Sequence, residues 1–217
     1  MFRRCRPRSI RRRFVLRAPR VIACLRHFVL HFKSGQVSAK LVWNIQSSKW
    51  KAGKKMSIEK SFVDSALRGW KSNLDRADEL FGALSPELLE QEVAPGKNRL
   101  IYLWGHLAAV NDALLPLLGI AERLHPEFDV MFLSSPDKSI QLAVSGQSLK
   151  AAWQEINQKL WDGFLKFSAL DWAQRHTAVS EEDFKREPHR NRFTVLLGRT
   201  AHLAYHLGQA ALARPKA

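Results

Sequence analysis

The chain has 217 residues, enough for one domain or for one domain with an extension, and a formal net charge of +15. The positive charge is concentrated at one end, because residues 1–55 contain 16 of the 35 lysines and arginines and none of the 20 acidic residues. Residues 56–217 are therefore close to neutral. This distribution argues against a strongly basic folded domain of the kind that binds nucleic acid or an anionic membrane.

Both cysteines, Cys5 and Cys24, also lie within residues 1–55. The rest of the chain contains none, which excludes a disulfide framework and a thiolate metal site there. A reducing compartment is the simplest environment for such a domain, and we expect a cytoplasmic protein.

Residues 1–55 are rich in arginine, and their composition overlaps that of an organelle transit peptide. The apolar run at residues 21–32 is interrupted by Arg26 and is shorter than the about 18 apolar residues of a membrane span. No small-residue cleavage pattern follows it, so a secretory signal is not expected either. We expect a disordered basic extension, or an upstream reading of the frame with Met56 as the working start, ahead of one domain at residues 56–217.

The spacing of apolar residues predicts four helices in this domain. Ser57 can cap the first helix, and Ser85-Pro86 can end it. The second helix is apolar on nearly every face, as expected of the element most enclosed by its neighbours, and Pro116 and Gly119 terminate it. The four helices are expected at about residues 57–84, 98–118, 148–167 and 191–213.

Two irregular connections separate these helices. Residues 120–147 are punctuated by Pro126 and Pro136 and predict a long, partly ordered crossover, and a second irregular stretch precedes the last helix. No segment alternates in the manner of a strand. The sequence therefore predicts an all-α, four-helix domain, and most of its tryptophans are expected in the core.

Three histidines are candidate metal ligands. His202 and His206 are four residues apart in the last predicted helix, so they share one face with Cβ atoms about 5–6 Å apart. His106 lies in the second, otherwise apolar helix, and burying an imidazole with unsatisfied nitrogens costs about 1–3 kcal/mol. A partner common to all three would remove that cost. Packing the second helix against the fourth would give three nitrogen ligands and leave coordination positions open for water or substrate.

Other readings of these residues remain open. The His-x-x-x-His spacing is weak by itself, because polar faces and hydrogen-bonded core histidines also show it. His27 and His31 have the same spacing among arginines, whose repulsion opposes cation binding. Leu203 stands where a zincin requires a glutamate base, which excludes that mechanism.

No catalytic residue is assigned by the sequence. Three residues are candidates to form hydrogen bonds that orient the histidine ligands, although each residue type is more often a surface or core hydrogen-bonding group. They are Asp112, Tyr205 and Gln209. The three other histidines of the domain lie in irregular stretches, where solvated side chains are expected. They are His125, His176 and His189.

The stretches "APGKNRLIYLWGHLAAVNDALLPLLG" and, about a hundred residues later, "TAHLAYHLGQAAL" resemble the DinB/YfiT-like family of metal-dependent proteins. The similarity covers residues 56–217 and none of the basic segment. Its most specific part is a histidine in the second helix combined with the His-x-x-x-His and Gly-Gln of the fourth. The resemblance implies a four-helix bundle with long crossovers, with His106, His202 and His206 as metal ligands.

The resemblance also implies a function. Members of this family include transferases and isomerases that use low-molecular-weight thiols, zinc and nickel are the metals usually implied, and dimers are common. Imidazole ligands by themselves suit zinc, nickel, copper or iron. We expect a small-molecule substrate, no nucleic acid or membrane partner, and a homodimer.

Three hypotheses follow. In the first, a divalent ion on the three histidines activates a thiol or water for attack on an electrophilic substrate, as in a thiol-dependent S-transferase. In the second, the domain is a non-catalytic metal-binding or protein-interaction bundle, in which a fourth protein ligand would close the coordination shell. In the third, the basic segment binds nucleic acid, which ranks last because it depends on translation of residues 1–55.

Overall fold

The computed structural model describes residues 57–213. The predictions of a disordered extension and of an upstream start fall on residues 1–55, outside the described residues. The described part of the chain is mostly helical and contains no strand, only two isolated bridges. The prediction of an all-α domain is therefore confirmed.

Four long helices and four short ones make up this part of the chain, together with one π-helical turn. Their bounds are α1 Ile58–Gly82, α2 Pro86–Leu89, α3 Leu100–Asp112, α4 Leu114–Leu117, the π turn Val130–Ser134, α5 Gly146–Phe164, α6 Ala169–Trp172, α7 Glu181–Arg186 and α8 Arg192–Leu212.

Polar side chains fix the starts of three long helices. Ser57 caps α1, as its sequence position predicts, and Asn191 caps α8 by accepting a hydrogen bond from the backbone of Thr194. The third long helix begins slightly earlier than predicted, because Ser145 and Ser148 form a reciprocal capping box in which Ser148 is already the third helical residue.

The second predicted helix is divided in two, and proline explains the division. Pro116 lacks an N–H group, and in a continuous helix its ring would clash with the carbonyl four residues earlier, that of Asp112. Accordingly α3 ends at Asp112 and α4 forms a separate turn. Pro86 also acts differently from the prediction, because with Ser85 as cap it starts α2, whereas α1 has already ended at Gly82.

Helix α3 is the central element of the domain. It packs against α5 and α8, and α1 packs against α8. Every residue of α3 is buried except His106, which is half-buried. Four of the five tryptophans at positions 57–213 are buried, in line with the prediction, and the fifth, Trp161, is half-buried.

The stretch Leu100–Leu117 is, among the described residues, long and apolar enough to pass as a membrane-spanning helix. However, 78% of it is buried inside the fold. A core helix enclosed by its neighbours has the same composition, so this stretch does not point to a membrane.

The crossover between α4 and α5 follows α3 in the opposite direction and is tied to it at intervals. Each tie is a hydrogen bond between a side chain of α3, or of its N-cap residue, and the crossover. This segment is thus held along its length, more regularly than its prolines and serines suggested. The bonded pairs are Asp112 with Leu124, His106 with Phe132, Tyr102 with Ser135 and Arg99 with Asp137.

Candidate metal centre

His106 is oriented by the crossover. Its Nδ1 atom lies 3.0 Å from the carbonyl oxygen of Phe132, within the π turn. A carbonyl oxygen only accepts hydrogen bonds, so Nδ1 carries the ring proton and Nε2 presents a lone pair. Metal-binding histidines are commonly held in this way, with the second nitrogen donating to a carbonyl or carboxylate.

A glycine makes this contact possible. A Cβ atom added at Gly105 would lie 2.2 Å from the nearest ring carbon of Phe132, so only glycine lets the ring pack directly on α3. Phe132 is fully buried and sits edge-on against Tyr102 and Phe128. The ring of Phe132 therefore fixes the π turn, and the π turn positions the carbonyl that holds His106.

His202 and His206 lie one turn apart on α8, on the face that meets α3. The Nδ1 atom of His206 is 2.7 Å from Oε1 of Gln209, one helical turn further along the same helix. An amide oxygen only accepts, so His206 carries its proton on Nδ1 and directs the lone pair of Nε2 toward its histidine neighbours.

The three rings converge through their Nε2 atoms. Nε2 of His202 lies 3.3 Å from Nε2 of His106 and 3.1 Å from Nε2 of His206. Their ligand atoms all fall within 4.8 Å of one another, so the group can hold a metal ion. Two nitrogens bound tetrahedrally to one zinc ion at about 2.0–2.1 Å are separated by about 3.3 Å, so the spacing matches coordination of one ion.

Hydrogen bonding within the group cannot satisfy all three nitrogens. With the protons of His106 and His206 on their Nδ1 atoms, two lone pairs face Nε2 of His202, which has at most one proton to donate in the neutral ring. One cation accepts all three lone pairs at once. The donor set therefore fits a divalent ion better than it fits a hydrogen-bonded cluster.

Burial and neighbouring charges favour the neutral form of the two histidines of α8. The pKa of His202 is lowered from 6.5 to about 4, by burial first and then by the nearby His206, His106 and Arg199. Burial also lowers the pKa of His206, although the hydrogen bond to Gln209 acts in the opposite direction. Neutral imidazole is the form that binds metals, so the site is prepared for a cation at neutral pH.

The metal-binding group within residues 57–213 consists of histidines only, and α8 has no acidic residue. The three residues are half-buried. Three protein ligands on one zinc ion leave a fourth position for water or substrate, which is the arrangement of catalytic rather than structural zinc sites.

The residues proposed as supports behave differently from one another. Gln209 contacts the site directly, as described. Tyr205 is 63% exposed, and its ring lies edge-on to His206 with centroids 5.1 Å apart. Asp112 is fully buried away from the histidines and is bound by Arg123, so its role is structural.

The remaining histidines do not join the group. His189 is exposed, as predicted for a solvated side chain. His125 and His176 are half-buried, which the prediction did not anticipate, and His125 stacks on Phe128. Sequence reasoning also missed Phe132 as a site residue. The small residue before His106 was the available signal, because Gly105 permits the close approach of a bulky partner.

Comparison of the chain with protein-family models and with curated proteins finds no match. The assignment to the DinB/YfiT-like family therefore stays a prediction based on the quoted sequence stretches.

Proposed function

We propose that this protein is a metal-dependent enzyme of the DinB/YfiT-like type, a four-helix bundle in which His106, His202 and His206 hold a divalent ion. The ion, zinc or nickel, would lower the pKa of a bound thiol or water and so supply a nucleophile at neutral pH. The reaction class is transfer of a low-molecular-weight thiol to an electrophilic small molecule, in the cytoplasm and by a homodimer.

One observation carries the proposal. Nε2 of His202 lies 3.3 Å from that of His106 and 3.1 Å from that of His206, and these last two rings are already fixed as Nδ1 tautomers by acceptors that belong to the fold. Such preorganisation reduces the cost of assembling the ligands around an ion. A cluster that served packing alone would gain nothing from facing its lone pairs together.

The chain's own residues would bind and orient the reactants. The histidines would fix the position of the nucleophile. A cleft of about 300 Å³ is lined by the loop before α3, by Leu103 of α3 and by Gln209 of α8; the histidines do not line it, but Gln209 also bonds His206. We assign the electrophile to this cleft, where it would be held on the same side of α8 as Gln209.

The test uses the full-length protein loaded with zinc or with nickel. The pKa of bound 3-mercapto-1-propanol is measured from thiolate absorbance, and turnover is followed with a chromogenic haloarene, in which a C–S bond forms and halide leaves. We expect the pKa of the thiol to fall from its alkaline value in solution toward neutrality, and turnover to require the metal. The His202→Ala variant, treated identically, should show neither effect.

The same experiment distinguishes the competing hypothesis of a non-catalytic metal-binding module. If the loaded protein binds one ion but does not change the pKa of the thiol or use the acceptor, the transferase proposal is wrong. Spectroscopy on the cobalt-substituted protein showing a fourth protein ligand in place of water would then establish a non-catalytic metal-binding module.

A further inference from the structure

A half-buried arginine that has no ion-pair partner among residues 57–213 lies one helical turn from the histidines. Arg199 precedes His202 by three residues and His206 by seven, so all three side chains lie along one face of α8. The guanidinium is close enough to His202 to oppose its protonation. Arg199 therefore belongs to the same surface as the candidate metal centre.

Two other partly buried arginines, which border the crossover, are each bound by carboxylates. Arg99 is bound by Asp137 and Glu90, and Arg123 by Asp112 and Asp129. Hydrogen bonds to these carboxylates raise the pKa of both arginines.

The guanidinium of Arg199 has a different environment. Among residues 57–213 the side chain of Arg199 makes no hydrogen bond and has no carboxylate within 4.0 Å, and burial alone lowers its pKa. Removing a guanidinium partly from water without a partner costs free energy, and natural folds compensate that cost with a carboxylate or another oxyanion.

The charges near the candidate metal centre also favour a negatively charged ligand. Helix α8 has no acidic residue, and the acid of α3, Asp112, is about 9 Å along the axis from His106 and already bound by Arg123. A divalent ion on three neutral imidazoles would keep both of its positive charges, and Arg199 adds a third. Such a site needs a negatively charged ligand to become neutral.

We propose that Arg199 binds an oxyanion group, a carboxylate or a phosphate, of the small molecule that the metal centre acts on. This inference rests on the proposed function for the identity of the site and adds the charge of its substrate. The planar fork of the guanidinium can receive both oxygens of a carboxylate, so it would orient the ligand as well as attract it. The metal binds the reacting atom, and Arg199 binds the opposite end.

The test compares two thiols that differ only at the far end, 3-mercaptopropionate and 3-mercapto-1-propanol. Their dissociation constants are measured on the full-length cobalt-loaded protein from the thiolate-to-metal absorption band. We expect the carboxylate to bind about tenfold more tightly or better, as for a charge-assisted hydrogen bond. The Arg199→Gln variant should lose the preference, with the neutral thiol measured on the same loaded protein as the reference.

Two further variants separate the role of the planar guanidinium group of Arg199 from the effect of its positive charge alone and from any general effect on folding. Arg68→Gln removes one positive charge from an exposed position of α1 that makes no ion pair among residues 57–213, and it should keep the full preference. Arg199→Lys keeps the charge but not the fork and should retain a weaker preference. Equal binding of both thiols by the wild type, or an unchanged preference in Arg199→Gln, would overturn the inference while leaving metal binding intact.

A second measurement does not depend on the metal. Phenylglyoxal modifies accessible arginines, and mass spectrometry gives the rate at Arg199 in the metal-free wild-type protein. Propionate should slow this modification, whereas propanol at equal concentration should not, and the rate at Arg68 should be unaffected by either. If the protein binds no metal, the proposed function fails, and protection of Arg199 still decides the inference: no protection by propionate contradicts it.

Discussion

Gly105→Ala should damage the metal centre without touching a ligand. The added methyl group would lie 2.2 Å from the ring of Phe132, and that ring is fully buried and enclosed by other aromatic side chains. Either the ring or the backbone of the π turn must move, and overpacking of this kind costs about 1–3 kcal/mol. Movement of the turn withdraws the carbonyl that lies 3.0 Å from His106 Nδ1. Loss of such a supporting bond lowers metal affinity about 10- to 100-fold.

Gly208→Ala is the matched control for this prediction. Gly208 lies on α8 beside His206, and an added Cβ there meets nothing within 4 Å. Alanine favours helix, so this variant should be more stable by up to about 1 kcal/mol and keep its metal affinity. Stability is measured by urea denaturation of metal-free protein and affinity by competition with a chelator. If Gly105→Ala is as stable as Gly208→Ala and binds the ion equally well, the reasoning about Phe132 is refuted.

Three further predictions concern groups around the site. Gln209→Ala removes the acceptor from His206 Nδ1 and should weaken metal binding about tenfold with little change in the urea midpoint; an unchanged chelator titration would contradict this. The pKa of His202 in the folded state is about 4, below its ordinary value of 6.5. Metal-free protein should therefore keep its full stability above pH 6.5 and lose stability as the pH falls toward 4. Urea midpoints measured across this range test the prediction. His202→Ala should flatten that dependence, and an equally steep loss in the variant would contradict the assignment. Asp112→Ala leaves Arg123 with Asp129 alone and removes the acceptor of the Leu124 and His125 N–H groups, so it should destabilise the protein by about 3 kcal/mol, measured by urea denaturation, while metal affinity changes little. A loss below about 1 kcal/mol would show that Asp112 is not structural.

The sequence predicted the helical content and the convergence of the histidines for identifiable reasons. Apolar residues at steps of three and four indicate α1 and α5, and Ser57 and Asn191 stand at the starts of α1 and α8, where caps are required. His106 is conspicuous in the sequence as a histidine within an apolar run, and in the structure it is the single residue of α3 that is not buried.

The parts that the sequence did not predict depend on long-range contacts. The π turn that supports His106 lies 26 residues further along the chain, and its position follows from the packing of Phe132 on Gly105 rather than from local propensity. That Arg199 has no partner among residues 57–213 could not be predicted from the sequence either, because it depends on where every carboxylate of this part of the chain lies. Boundaries set by proline were predicted only in part, since Pro86 begins a helix whereas Pro116 separates two.

The most direct test of the account is the metal content of the full-length protein after incubation with zinc or nickel and removal of excess ion. The wild type should retain one equivalent, and His106→Ala and His202→Ala should each lose it, because ligands from both α3 and α8 are needed for one site. His27→Ala, in the basic segment, serves as the control and should retain the ion. Retention of a full equivalent by both triad variants, or none by the wild type, would contradict a shared metal centre.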